Sequence, residues 1–204
     1  LSEQQRSPKP RPYAMARRAE QVGETRQRIV DAAVHLHGTV GPAGTSIAAI
    51  AERAGVTRLT VYRHFPDDTA LFTACSQDWL SRHALPEPEA WERIPDPVER
   101  LRAGLADLYR FYRSGAQMLA MIHRDRDVVP APVREFREAA DRARVDVLAS
   151  AFADRDRRDR RLRLALTAHA AAFPTWRSLC VEQGLTDKEA VAAMVALVRD
   201  LPDR

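Results

Sequence analysis

The stretch "TSIAAIAERAGVTRLTVYRHF", Thr45 to Phe65, places two short runs of helical spacing on either side of one glycine. Ile47, Ile50 and Ala51 recur behind a capping hydroxyl from Thr45 or Ser46, which predicts a short helix with one apolar face. Gly55 supplies the backbone freedom for a tight turn, Val56 plugs that turn, and Thr57 caps a second helix anchored by Val61 and Phe65. Small Ala51 lets the two helices cross closely. Ala51, Gly55 and Val61 stand at the spacing of a helix-turn-helix, whose second helix enters the major groove of DNA. On a helical wheel Val61 and Phe65 point inward, Leu59, Thr60 and Arg63 lie opposite, and Arg58, Tyr62 and His64 flank them. Arginine can take both acceptors of a guanine edge, threonine can bond or pack, and a leucine can meet a thymine methyl. Tyr62 and His64 suit phosphates at the groove edge.

The charge distribution agrees with a nucleic-acid-binding head on a neutral body. Residues 1–65 hold ten Lys and Arg against five Asp and Glu, whereas the remainder holds 22 against 23. No stretch approaches the roughly 20 apolar residues of a membrane helix, and residues 1–25 contain no continuous apolar run. Cys75 and Cys180 lie far apart in apolar surroundings and read as buried free thiols, not a disulfide or a metal site. Together these point to a cytoplasmic protein with no membrane contact, no metal and no cofactor.

Almost every longer segment reads with helical period, so the chain is expected to be all-α, with nine helices. Residues 1–23 read as a basic, disordered arm, residues 24–66 as the helix-turn-helix domain, and residues 67–204 as a helical ligand-binding and dimerisation domain. Lys9, Arg11, Arg17 and Arg18 on the arm could lie along a minor groove or phosphates. The first helix is expected from about Glu24 to Thr39. Another starts near Asp67, with Asp67 as its cap, and residues 83–97 form a loop. Val133, Phe136, Ala140, Ala143 and Val147 form one stripe. Leu162, Leu166, His169, Phe173, Trp176 and Cys180 form another, kinked by Pro174. Thr186 caps the last helix. The runs "HRDRD" and "DRDRRDR" read as solvated, salt-bridged surface.

"TSIAAIAERAGVTRLTVYRHFPDDTALF", Thr45–Phe72, strongly resembles the N-terminal domain of the tetracycline-repressor family of bacterial transcription regulators, and "RQRIVDAAVHL" resembles that family's first helix. The tail "FPTWRSLCVEQGLTDKEA" looks like part of the family's ligand-binding and dimerisation domain. The resemblance implies that Arg58, Leu59, Thr60 and Arg63 read bases, that Tyr62 and His64 grip phosphates, and that Thr45 marks a helix end on the backbone. With the cap Thr57 and with Arg17 and Arg18, these form the expected DNA-contacting set. Two positions depart from the family pattern. His37 stands where a buried Phe is usual, and is read as a core histidine bonded to nearby backbone. Asp68 stands where a phosphate-contacting Lys is common.

The resemblance also implies a homodimer whose last two helices pack against their mates, so that paired recognition helices read a palindromic operator in double-stranded DNA. Ala168, Ala172, Ala192, Ala193 and Ala196 would allow that close approach. Trp79, His83, Phe111, Met118, Met121, His123, Phe136 and Trp176 are the expected lining of an adaptable cavity for a partly apolar small-molecule effector. The chain carries no paired carboxylates on an apolar face, no nucleophile motif, no metal-ligand spacing and no glycine-rich phosphate loop, which argues against an enzyme. The function expected is a repressor released from its operator by the effector. The alternative is a helical small-molecule carrier or enzyme in which the N-terminal hairpin is merely structural.

Overall fold

A computed structural model describes residues 12–153 and 156–200. The described residues form helices joined by turns, as the periodicity predicts, with no strand among them. The head comprises α1 (Pro12–Thr39), α2 (Ile47–Ala54) and α3 (Arg58–His64), followed by α4 (Asp68–Ser81). The body comprises α5 (Pro88–Glu92), α6 (Pro97–Ser114), α7 (Ala116–Arg124), α8 (Ala131–Ser150), α9 (Arg157–Ala171), α10 (Phe173–Trp176), which runs on as a π-helical stretch (Arg177–Glu182), and α11 (Asp187–Arg199).

Two cores hold the molecule together. In the head, Ile29, Val30 and Ala33 of α1 pack against Ile50 and Ala51 of α2, Val61 of α3, and Phe65. This core continues into Leu71, Ala74 and Cys75 of α4, so the boundary expected at residue 67 runs through a packed interior. Trp79 and Leu80, one turn further along α4, pack against the body's core. That core is built on Leu101, Leu105, Leu108 and Tyr109 of α6, with Leu148, Trp176, Val191, Val195 and Val198. Both cysteines are buried and free, as expected.

Four expectations need correction. First, α1 begins at Pro12, not near Glu24. Residues 15–23 are exposed throughout, so they show no apolar stripe, but Ala, Arg, Glu and Gln favour helix and proline is tolerated in a first turn. Arg17 and Arg18 therefore sit on a helix and not on an extended arm, while Lys9 and Arg11 lie outside the described residues. Second, the span 83–97 contains α5, whose buried Trp91 donates its Nε1–H to Asp107 at 3.1 Å. Third, the α8 stripe does not form a core face: Phe136 is 74% exposed and Leu148 is that helix's buried residue.

Fourth, Pro174 does not kink one long helix. α9 ends at Ala171, Ala172 is extended, and a new helix starts with Pro174 in its first turn, where a missing N–H costs nothing. The break is satisfied by side chains. Tyr109 and Tyr112 donate their hydroxyls to the carbonyls of Ala170 and Ala171 at 2.8 and 2.7 Å, and Thr175 donates to His169 at 2.6 Å. The last carbonyls of α9 thus keep their partners without a further helical turn. The cap expected at Thr186 is present as a full capping box with Glu189.

Candidate nucleic-acid interface

α2 is capped by Ser46, whose Oγ accepts the Ala49 N–H at 3.1 Å. Gly55 ends it in the left-handed region, φ 66 and ψ 38, where an L side chain is strained. The Val56 N–H returns to the Ala51 carbonyl at 2.9 Å, closing the turn. Thr57 then caps α3 by accepting the Thr60 N–H at 3.2 Å. Val61 and Phe65 are 1% and 3% exposed and pin α3 to the head, and the guanidinium of Arg26 lies 4.8 Å from the centre of the Phe65 ring.

The opposite face of α3 is open. Leu59 is 78% exposed and Tyr62 51%, a large apolar and aromatic display on a seven-residue helix. Arg58 and Arg63 are exposed and have no carboxylate partner among the described residues. Unpaired guanidiniums beside an exposed leucine match the chemistry of base edges. His64 is half-buried, and its pKa is held below the ordinary value by burial and then by the charges of Arg63 and Arg26, so at neutral pH it can offer a phosphate an uncharged N–H. Two expected contacts are partly engaged within the head. The Thr60 hydroxyl lies 3.0 Å from that of Thr57, and the Thr45 hydroxyl donates to the Gly41 carbonyl at 2.8 Å.

Asp67 caps α4, accepting the Ala70 N–H at 2.8 Å, and Asp68 is exposed in that helix's first turn. His37 is buried as expected but makes no backbone hydrogen bond among the described residues. Its ring stacks on Phe72 at 4.5 Å, and burial lowers its pKa to about 4.

The expected effector-pocket residues divide into three groups. Trp79, His83 and Met118 line a shallow, open cavity of about 270 Å³ where α1 and α4 meet the α6–α7 junction. Gly115 makes this possible, because a Cβ there would lie 2.6 Å from the Trp79 ring. Trp79 stacks on His83 at 3.9 Å, and Phe111 backs it edge-on at 5.8 Å. His83 Nδ1 lies 2.7 Å from the Trp79 carbonyl, which leaves Nε2 as the ring's acceptor when Nδ1 carries the proton. Trp176 is core, donating its indole N–H to Asp187 at 3.0 Å, while His123 approaches Phe173 at 6.2 Å between ring centres. Met121 is half-buried outside the cavity's lining, and Phe136 faces solvent.

Sequence reasoning missed one junction. Asp125, from the run read as solvated surface, is 9% exposed, and its Oδ2 accepts the Ala43 N–H at 3.0 Å. Arg124 pairs with Asp125 and also donates to the Val40 carbonyl at 2.8 Å. The end of α7 is thereby tied to the turn between α1 and α2. Gly41, with φ +88, sits against both side chains, and a Cβ there would collide with them. The available signal was the Gly41–Gly44 turn, too glycine-rich for a simple helix end.

A short polar helix held across a second by a left-handed glycine is the geometry of a helix-turn-helix. The family model for bacterial regulatory proteins of the tetR family matches residues 29–75, so the N-terminal part of the chain is similar to that family's domain. It is 40% identical over 90 residues to the HTH-type transcriptional regulator AcrR of Shigella flexneri, which covers 43% of this chain and 42% of that protein. It is 48% identical over 52 residues to the HTH-type transcriptional regulator SrpR of Pseudomonas putida, covering 25% of this chain and 24% of that one. The matches thus span less than half the length of these relatives.

Two solved structures resemble the whole fold. A TetR-like transcriptional regulator from Rhodococcus sp. RHA1 has a TM-score of 0.60 at 21% identity, with 86% of this chain and 93% of that chain covered. AibR, solved in complex with isovaleryl coenzyme A and operator DNA, has a TM-score of 0.61 at 22% identity, with 85% and 97% covered. At such identity the likeness is one of fold: a helix-turn-helix head on a helical body.

Proposed function

We propose that the protein is a cytoplasmic, sequence-specific transcriptional regulator that binds a palindromic operator as a homodimer and is released by a small-molecule effector. The observation that carries this reading is the outer face of α3, where Arg58, Leu59, Tyr62 and Arg63 are exposed and the two arginines have no acidic partner among the described residues. Arg58, Leu59 and Arg63 read bases, Thr60 assists, and Tyr62 and His64 hold phosphates. Thr45 and Thr57, at the N-terminal ends of α2 and α3, contact phosphates, and Arg17 and Arg18 reach flanking backbone. The dimer reading is supported by Leu164 and Leu197, 41% and 40% exposed on α9 and α11, beside exposed Ala168, Ala192, Ala193 and Ala196. Two recognition helices about 34 Å apart then meet successive turns of one face of the duplex.

The effector site on this reading is the cavity under Trp79, His83 and Met118. It touches α1 of the head as well as α4 and α7, so an occupant that fits one spacing of the heads better than the other shifts the population off DNA. Its lining holds no carboxylate, lysine or arginine, which favours an uncharged, partly aromatic molecule. Electrophoretic mobility shift with the DNA upstream of the protein's own gene tests the proposal. Saturable binding with a palindromic footprint is expected; absence of binding at low salt would favour the carrier or enzyme reading.

A further inference from the structure

His37 and Asp68, the two residues that depart from the family pattern, line the same cavity. It is a half-open cavity of about 300 Å³ beneath the head, between α1, α2, the start of α4 and the turn at Val128. Ile47, Phe72 and Val128 supply apolar walls, Thr45 a hydroxyl, and Asp68 the formal charge. His37 is 4% exposed, lines the cavity, and has no hydrogen-bond partner among the described residues, so its ring nitrogens are open to an occupant. Burial keeps its ring uncharged at neutral pH, so it brings a free lone pair to the cavity wall. The nearby guanidinium of Arg124 is neutralised by Asp125 and bound to the Val40 carbonyl.

We propose that this cavity is a second small-molecule site, distinct from the one beside Trp79, which binds a primary amine on a compact apolar body. The ammonium group pairs with Asp68 at the mouth and donates one N–H to the unpartnered nitrogen of His37. The apolar body lies against Ile47 and Phe72. An anion is disfavoured by Asp68, and a neutral apolar molecule leaves His37 unsatisfied. Ile47 stands on α2 and Asp68 on α4, so an occupant bridges the two helices that flank α3. A consequence at an operator rests on the regulator reading; binding itself does not, and is tested without DNA.

The test is thermal unfolding of the full chain near neutral pH with benzylamine, cyclohexylamine and the uncharged isostere benzyl alcohol. Saturable stabilisation is expected with at least one amine and not with the alcohol. Asp68→Asn, a change at an exposed position, should weaken amine binding at least about tenfold, because a charged hydrogen bond is lost. His37→Phe should abolish it by filling the cavity. No saturable effect from either amine, equal stabilisation by benzyl alcohol, or unchanged amine binding in Asp68→Asn would each overturn the proposal.

Discussion

Thr57–His64 on α3 and His123–Asp127 after α7 are both short, polar and bear two arginines, yet the fold uses them in opposite ways. On α3 neither Arg58 nor Arg63 has an acidic partner among the described residues, and the side chains face outward. After α7, Arg124 pairs with Asp125 and Arg126 with Glu138, and Asp125 turns inward onto the head's backbone. Residue type alone does not separate a surface made for a partner from a clasp made for the protein itself. What separates them is whether a carboxylate stands within reach and whether an apolar anchor on the opposite side holds the segment outward. Val61 and Phe65 do so for α3.

Acid should strain the head that carries α3 while leaving the clasp after α7 ionised, the largest effect expected. Unfolded His37 takes up a proton near pH 6.5, whereas the folded ring does so only near 4. The unfolded state therefore binds more protons as pH falls through that window, and stability drops by about 3 kcal/mol between the two values before levelling off. Asp125 has a lowered pKa, chiefly from its bond with Arg124, and stays ionised across the window. Chemical denaturation against pH measures this, and His37→Phe should flatten the profile between pH 6.5 and 4.

Gly41→Ala attacks the clasp directly, combining a strained positive φ with a collision at Arg124 and Asp125. It should cost about 2 to 3 kcal/mol in urea unfolding; a cost below about 0.5 kcal/mol would show that the turn moves freely and that the clasp is not fixed. Asp125→Ala leaves the Ala43 N–H without its acceptor and should cost about 1 to 2 kcal/mol. Arg58→Ala should leave stability within about 0.5 kcal/mol while weakening DNA binding, because its contacts lie outside the protein. Smallest of all, Asp68→Lys should steepen the salt dependence of DNA binding by about one phosphate per head. An unchanged slope would mean that a side chain at position 68, at the cavity mouth, does not reach DNA phosphates.

The recognition hairpin was legible because its determinants are local: Gly55, Val61 and Phe65 fix one another within eleven residues of chain. The segments that escaped reading depend on partners distant in sequence. The clasp joins Asp125 to Ala43, 82 positions away, and adjacent Arg and Asp look like solvated surface until that amide is placed beside them. The end of α9 is set by tyrosines of α6 some 60 positions earlier, so Pro174 alone suggested a kink where the fold makes a break. The exposed start of α1 lacks any apolar stripe and was invisible to periodicity. Of the expected effector pocket, Trp79, His83 and Met118 come together because Gly115 leaves room for an indole ring, whereas Phe136 shared a helical spacing but not a buried face.

The central claim is that α3 reads base sequence, and Arg63→Ala tests it most directly when binding is measured across a set of single-base operator variants. The account predicts a loss of about 1 to 3 kcal/mol on the preferred site, with discrimination relaxed at one position in each half-site. A uniform loss on every sequence would contradict it and make Arg63 a phosphate contact.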